Sequence, residues 1–312
     1  MNETPTLGID FGGTSVKIAV VKGADLVSDM FRIPTQNYDG PDELLEAITE
    51  KVNELKEEFP DLAAVGIGVP GAIDFEKGIT YNLTNVRGWT NIPLRDIVQE
   101  KVELPTVLEN DANCMAYAEF KHGAGQGYNN VVCVTLGTGV GGGLILNGEL
   151  YRGSRFAAGE IGQMSVDLFG VDGPYGNRGA LERYIGNRQI EELAEQKYFD
   201  SDQDSPKDFS PENLCKLAND GDEVAIAVWD TVATYLANCL MSIIYLLNPD
   251  AIVIGGGVAH AGENLFDPLR DKLKDSLTKE CFEDLELCHA RFGNTAGIIG
   301  CSTMARELIE EE

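Results

Sequence analysis

The chain has 312 residues, of which 43% are apolar, enough to build two domains of about 150 residues each. It carries 51 Asp and Glu against 24 Lys and Arg, a net charge of −27. This acidity argues against nucleic acids and anionic membranes as partners. A bound nucleotide would need a divalent cation, basic side chains or backbone dipoles around its phosphates.

Cysteine usage and apolar patterning both indicate a reducing, cytoplasmic setting. The seven cysteines form no CxxC pair and mostly lie in apolar runs, which favours buried free thiols. No signal-peptide pattern precedes Leu7, where the first strand has already begun. The longest apolar stretch, residues 232–247, contains Asn238 and Ser242 and therefore predicts a buried helix rather than a membrane span.

Two glycine loops of the same build lie 125 residues apart, at residues 8–14 and 133–139. Each loop ends an apolar, strand-like run and leads into a second run, which closes on a hairpin-type pair, Lys22-Gly23 or Asn147-Gly148. A strand, a glycine turn and a returning strand expose backbone N–H groups in a concave turn that suits phosphate oxygens. One glycine turn between strands would be weak evidence, but its repetition predicts duplicated halves that face a shared cleft.

Neither loop is one of the common nucleotide fingerprints. No Gly-Lys-Ser/Thr ends either loop, as a Walker A motif requires, and a strand rather than a helix follows each one.

The rest of the chain alternates strands and helices, so an α/β fold is predicted. In the first half we expect a helix after residues 41–43 that ends at Pro60, a buried strand at 63–69, and a short strand at 106–108 before an alanine-rich helix at 112–120. A glycine-rich hinge at 123–127 separates the halves.

The second half is predicted to contain a helix from Ala180, a long helix at 223–247 that Asn248-Pro249 stops, and a strand at 251–254. Glycines 255–257 follow that strand and offer a third place where backbone could approach a ligand. The predicted domains are a small one at 1–121, joined by a final helix at about 301–312, and a large one at 122–300.

Asp10 lies inside the first glycine loop, beside the predicted phosphate site. A carboxylate there would repel phosphates unless it faces a cation, so we assign Asp10 to Mg²⁺, directly or through water. The alternative is a turn aspartate that bonds its own loop.

Asp111 is the candidate general base. It follows a strand end at the start of a helix, beside Asn110, where an aspartate is often merely a helix cap. Because the strand end should point toward the same cleft as the loops, the pair can orient a hydroxyl through the amide and accept its proton through the carboxylate.

Glu160 and Glu182 flank an irregular segment. An exposed glutamate is usually only solvated, but the small apolar neighbours of Glu160 suit a site for sugar hydroxyls.

Together these motifs resemble the ROK group of sugar kinases and sugar-responsive repressors, within the two-lobed actin/hexokinase/Hsp70-like fold. The resemblance covers nearly the whole chain and rests on six segments: residues 10–17, 69–72, 108–113, 135–143, 158–162 and 255–258.

The resemblance implies ATP- and Mg²⁺-dependent transfer of a phosphoryl group to a hexose, usually at the 6-hydroxyl. It implies that Asp111 is the base and that the sugar is bound by Gly71, Asn110, Asp111, Glu160, Gln163 and Glu182. The two glycine loops would hold the nucleotide phosphates, with Asp10 acting through Mg²⁺; the loop residues are Gly12, Gly13, Thr14, Lys17, Gly137, Thr138 and Gly139. Adenosine would lie near Gly255, Gly256 and Gly257.

The resemblance further implies a homodimer. The repressor members carry an N-terminal helix-turn-helix, for which there is no room before Leu7, so the kinase branch is expected.

The sequence departs from the family at the zinc site. Where the family has one histidine and three cysteines, this chain has Gln163, Gly173, Tyr175 and Ala180. Because these side chains either bind zinc poorly or cannot bind it at all, the loop is expected to fold without zinc. Something other than zinc must then hold Glu182, and packing by Phe169 and Tyr175 is the expected means. The family histidine also touches the sugar, so Gln163 bears on substrate choice.

Three functions remain open from the sequence. The first is a zinc-free kinase for glucose or for another hexose, namely mannose, fructose, N-acetylglucosamine or N-acetylmannosamine. The second is a non-catalytic sugar sensor, against which the intact Asp10, Asp111 and loops argue. The third is a kinase that uses polyphosphate as its donor, against which the acidic surface argues.

Overall fold

The computed structural model describes residues 4–83, 86–201 and 203–310. Its N-terminal half alternates strands with helices, as predicted. The elements are β1 (Thr6–Phe11), β2 (Ser15–Lys22), β3 (Asp25–Leu26), β4 (Phe31–Pro34), α1 (Pro41–Glu58), β5 (Val65–Val69), β6 (Ile73–Asp74), β7 (Ile79–Asn82), β8 (Thr90–Ile92), α2 (Leu94–Val102), β9 (Thr106–Asn110) and α3 (Asp111–His122).

The second half begins with another hairpin and ends on a long helix. Its elements are β10 (Val131–Leu136), β11 (Val140–Leu146), β12 (Glu149–Leu150), α4 (Glu182–Ile185), α5 (Asn187–Phe199), α6 (Pro211–Asn219), α7 (Glu223–Leu247), β13 (Ala251–Gly255), α8 (Glu263–Ser276), α9 (Lys279–Phe282), β14 (Glu286–His289) and α10 (Ala296–Glu310).

The two main sheets repeat one another strand for strand, which confirms the predicted duplication. The first has the order β3-β2-β1-β5-β9, and the second β12-β11-β10-β13-β14. In both, the opening hairpin is antiparallel and the next two strands are added in parallel. In addition, β4 pairs with β2, and β6, β7 and β8 form a small separate sheet.

The turns of the duplicated hairpins differ in detail. Phe11 pairs with Val16, but Leu136 pairs with Val140, so the second glycine turn is one residue shorter. Lys22 pairs with Asp25, which makes the turn after β2 Gly23-Ala24 rather than the predicted Lys22-Gly23.

Helix α7 has the predicted bounds and forms the centre of the larger core. It is long and apolar enough to cross a membrane, but 56% of its most apolar window is buried inside the protein. It packs against α8 and α5, and its buried side chains include Trp229 and Leu236. This burial accounts for its apolar composition, because a core helix needs the same residues.

Helices α3 and α10 lie between the two sheets and pack against each other. α10 also packs on β1 and β5, while α3 packs on β10 and β11. α10 begins at Ala296, so the predicted start at residue 301 is wrong; the prediction's last two residues lie outside the described part of the chain. Gly300, expected before the helix, lies inside it. The position requires glycine because a Cβ there would come within 1.8 Å of the Cys114 carbonyl oxygen of α3.

Two further boundaries matter for the site. The helix expected from Ala180 is two helices, α4 and α5, separated at Gly186. The domain boundary at residues 121 and 122 stays a prediction. It falls at the end of α3, the helix through which the two halves meet.

Candidate active site

A cavity of about 800 Å³ lies between the two halves of the molecule. The N-terminal half contributes the end of β9 and the start of α3, and the other half contributes the second glycine turn and the segment around residue 160. Among the predicted site residues, those that line the cavity are Gly71, Asn110, Asp111, Gly137, Thr138, Gly139, Glu160, Gln163, Glu182 and Gly256.

The start of α3 is capped by Asn110, not by Asp111. The Asn110 Oδ1 atom accepts hydrogen bonds from the backbone N–H groups of Ala112 at 3.0 Å and Asn113 at 3.2 Å. Its Nδ2 atom donates to the Gly71 carbonyl at 3.2 Å, which fixes the side chain between the helix and the 70–72 turn. The capping role considered for Asp111 is therefore filled by its neighbour.

Asp111 has the environment of a proton acceptor. Burial raises the pKa of its carboxyl from 3.8 to about 6, and the nearby carboxylates of Asp10 and Glu160 add to the rise. A backbone hydrogen bond from Ala112 N, at 2.9 Å from Oδ1, acts in the opposite direction. A carboxylate with a pKa near 6 is ionised at pH 7 and is basic enough to take a hydroxyl proton as that proton becomes acidic.

Glu160 and Glu182 face the cavity from the second half. Burial raises the pKa of Glu160, and the charge of Glu182 raises it further. Glu182 is held by Gln163, whose Nε2 atom donates to Glu182 Oε1 at 2.8 Å. The proposal that Phe169 and Tyr175 hold Glu182 is wrong, because these side chains are 88% and 81% exposed.

The loop that contains Gln163, Gly173, Tyr175 and Ala180 is closed by hydrogen bonds within the loop. Residues 165 and 180, and residues 172 and 178, form antiparallel bridges. Gly173 N donates to the Asn177 carbonyl at 2.7 Å, and Asn177 Nδ2 donates to the Gln163 carbonyl at 3.0 Å. Across the described residues, no three His, Cys, Asp or Glu side chains are grouped so that they could hold a metal ion. A zinc-free loop stays a prediction.

Glycines in β11 allow the elements on its two faces to approach closely. A Cβ at Gly143 would lie 2.5 Å from the Ala116 Cβ of α3, on one face of the strand. A Cβ at Gly142, on the other face, would lie 2.6 Å from the Gly159 carbonyl oxygen. The strand thus brings the helix that carries Asp111 and the segment that carries Glu160 to either side of a single backbone.

The second glycine turn opens directly onto the cavity. A Cβ at Gly137 would meet no described atom within 4 Å, and φ at this residue is not positive. Neither packing nor backbone conformation therefore requires glycine there. Gly255 and Gly257, unlike Gly256, line smaller neighbouring cavities rather than this one.

The first glycine turn lies outside the lining of the cavity. Gly12, Gly13 and Thr14 do not contribute to it, and neither does Lys17, whose Nζ pairs with Asp10 Oδ2 at 2.9 Å. Asp10 is nevertheless close enough to Asp111 to raise its pKa. The charge of Asp10 thus opposes the ionisation of Asp111, a repulsion that a nearby cation would relieve.

Side chains that line the cavity but were not assigned to the site in the sequence analysis include Asn113, Met115, Phe156 and Tyr175. Asn113 follows Asn110 by three residues, so helical spacing from the start of α3 was the available signal. Phe156 lies in an irregular segment, where no periodicity assigns a direction to a side chain.

Comparison with known proteins gives the family. The family model described as "ROK family" matches residues 6–308, so the chain belongs to the ROK family. It is 32% identical to a glucokinase of Halalkalibacterium halodurans, with 98% of this chain and 96% of that protein covered. It is also 32% identical to an N-acetyl-D-glucosamine kinase of Escherichia coli, with 95% and 97% covered.

The fold is that of known ROK structures. A ROK glucokinase of Streptomyces griseus, crystallised with glucose and AMPPNP, superposes with a TM-score of 0.82 at 31% identity, with 97% of this chain and 99% of that one covered. This likeness confirms the predicted two-lobed α/β fold class.

Proposed function

We propose that this protein is an ATP-dependent hexose kinase that phosphorylates the 6-hydroxyl of glucose. The observation that carries the proposal is the half-buried carboxylate of Asp111, whose pKa is raised to about 6 in a cavity that also contains Glu160, Glu182 and the second glycine turn. Relatives named as glucokinases, about 30% identical over nearly the whole chain, support glucose as the substrate.

Asp111 would act as the general base. As the sugar 6-oxygen attacks the γ-phosphorus, the hydroxyl proton passes to the Asp111 carboxylate while the bond to the leaving ADP oxygen breaks. Asn110 is not the proton acceptor, because a carboxamide is not basic; its oxygen caps α3 and its nitrogen donates to the Gly71 carbonyl. The rigid placement of these two residues orients the attacking oxygen without cost at the moment of reaction.

Glu160, Glu182 and Gln163 would bind the remaining sugar hydroxyls. A carboxylate accepts hydrogen bonds from hydroxyls that project in the right direction, which selects among sugar epimers. Gln163 takes the place of the family histidine and holds Glu182 by a neutral amide.

Asp10 and the two glycine turns would hold Mg²⁺ and the ATP phosphates. The charge of Asp10 raises the pKa of Asp111, so a cation near Asp10 would relieve this repulsion, and Lys17 beside it adds positive charge. When bound, Mg²⁺ neutralises charge on the phosphates during transfer. The acidic chain needs this local compensation, because its overall charge repels a nucleotide.

N-acetylglucosamine is the second candidate substrate, since the chain is as similar in identity to a kinase for that sugar as to a glucokinase. The N-acetyl group requires extra room beside the sugar, so one residue of the lining can decide between the two substrates.

ADP release should be measured with glucose, mannose, fructose, N-acetylglucosamine and N-acetylmannosamine, each with ATP and with polyphosphate. The proposal predicts the highest kcat/KM for glucose with ATP. Sugar binding by calorimetry with no ADP from any pair would identify a sensor instead.

Metal analysis of the purified protein should find no stoichiometric zinc, and light scattering should find a homodimer.

A further inference from the structure

We propose that the ion pair between Glu109 and Arg152 is a positioning device that fixes the two halves of the active site relative to each other. Glu109 belongs to β9 and Arg152 follows β12, so the pair joins the two duplicated halves. The inference rests on the proposed kinase function, because it concerns the placement of the proposed base and sugar ligands.

Glu109 is a buried carboxylate with three donors. Its side chain is 2% exposed, and Arg152 Nε lies 2.6 Å from Oε2. Its Oε1 atom accepts from Asn113 Nδ2 at 3.0 Å and from Asn110 N at 2.8 Å. Both of these partners line the active-site cavity, and Asp111 lies between them in the chain. A shift of Glu109 would therefore move the start of α3 together with the proposed base.

Arg152 contacts the N-terminal half at a second point. Its guanidinium carbon lies 4.0 Å from the centre of the Phe75 ring, a cation–π contact. The Phe75 ring in turn lies 6.1 Å from that of Phe156, which lines the cavity. One side chain thus bonds a buried carboxylate and stacks on an aromatic ring, a combination for which the planar guanidinium is suited and an ammonium is not.

The backbone connects Arg152 to Glu160. Ala158 N donates to the Arg152 carbonyl at 3.0 Å, which closes the intervening segment into a compact turn. Every residue from 156 to 160 lines the cavity. The position of Arg152 therefore sets that of the Glu160 carboxylate, just as the position of Glu109 sets that of Asp111.

Stability alone gives a weak reason for such a pair. Taking two charges out of water costs about as much as their attraction returns, and apolar residues of similar volume often serve as well. A positioning role supplies the reason, because an error of about 1 Å in the placement of reacting groups can reduce a rate on the order of 100-fold.

The test compares Arg152→Gln with Arg152→Lys and with the control Lys121→Gln. Lys121 pairs with Glu307 at 2.7 Å and also lies at the junction of the halves. Its partner Glu307 accepts from Tyr117, which does not line the cavity, whereas Glu109 accepts from Asn110 and Asn113, which do. We expect Arg152→Gln to lower kcat/KM for the sugar by about 100-fold, Arg152→Lys to recover part of the loss, and Lys121→Gln to retain wild-type kinetics. Hydrogen exchange should rise locally at residues 109–113 and 152–160 in Arg152→Gln.

Wild-type kinetics in Arg152→Gln would overturn the inference, as would a uniform rise in exchange, which marks a purely structural role. If Arg152→Gln does not fold, Arg152→Lys decides: a kinetic loss with an unchanged melting temperature supports the inference, and unchanged kinetics contradict it. If the wild-type protein releases no ADP with any sugar, the proposed function fails, and local against uniform exchange still decides the role of the pair.

Discussion

Asp111 is held where the fold opposes its charge. Burial and the carboxylates of Asp10 and Glu160 all favour its protonated form. The ionised carboxylate therefore lowers the free energy of unfolding, because it is less stable in the folded chain than in water.

Asp111→Asn should therefore stabilise the protein near neutral pH. The pKa of Asp111 is about 6 in the folded state against an ordinary 3.8, so the carboxyl favours folding most below pH 3.8, and this contribution is lost as the pH rises through 6. Asparagine removes the penalty, and the free energy of unfolding should rise by up to about 3 kcal/mol at pH 7.5, less toward pH 5. Urea unfolding at both pH values measures it; an Asn variant less stable at both would contradict the environment described for Asp111.

Gln163 is the second residue whose role can be isolated. Gln163→Leu removes the donor to Glu182 Oε1, so the KM for sugar should rise about tenfold, equivalent to one hydrogen bond to a charged group, with a smaller change in kcat. Gln163→Glu places a second carboxylate against Glu182 and should raise the KM further. A chelator selective for zinc over Mg²⁺, added with Mg²⁺ in excess, should leave the wild-type KM for sugar unchanged. A KM that rises with this chelator would show that the loop holds zinc.

At the scale of elements, the glycines of the second hairpin divide into two kinds. Gly142 is required by packing against the Gly159 carbonyl, whereas Gly137 faces open space at the cavity. Gly142→Ala should lower the free energy of unfolding by about 1–3 kcal/mol through overpacking. Gly137→Ala should leave stability unchanged but raise the KM for ATP, because its methyl group meets the phosphates.

Thermal unfolding measures the stability of both variants, and ATP titration measures their KM for ATP. Each variant is the control for the other. A Gly137→Ala protein that binds ATP normally would remove the second glycine turn from the nucleotide site.

Local pattern predicted most of these elements. The hairpin repeat, α7 and the strand before Gly255 follow from apolar periodicity and from turn residues, which act over a few positions. The start of α10 did not, because Gly300 looks like a helix breaker in sequence and is selected by a close contact with α3, about 190 residues away in the chain. The bonds from Gln163 to Glu182 and from Arg152 to Glu109 join distant segments in the same way, so no local pattern indicates them.

At the scale of the molecule, the two duplicated glycine turns lie at different positions relative to the cavity. The second turn lines it and the first does not. If both turns hold phosphates, as the duplication predicts, the first turn must approach the cavity when substrates bind, by a closing motion that leaves the Glu109–Arg152 junction intact. Such closure is common in kinases that exclude water from transfer.

Small-angle scattering should detect this closure. The radius of gyration should fall when glucose and a non-hydrolysable ATP analogue are added together, and less with either alone. Asp111→Asn should close equally, because it removes the proposed base and not the ligand contacts. An unchanged radius with both ligands bound would place the nucleotide on the second turn alone.

The most direct test of the account is ADP release from glucose and ATP by the wild-type protein and by Asp111→Asn across pH 5 to 8. The wild-type kcat/KM should rise with pH through about 6 and then level off, following ionisation of Asp111. Asp111→Asn should lose about 10²- to 10⁴-fold in kcat, with glucose affinity nearly unchanged. Turnover by the Asn variant at the wild-type rate, with the same pH profile, would contradict Asp111 as the base.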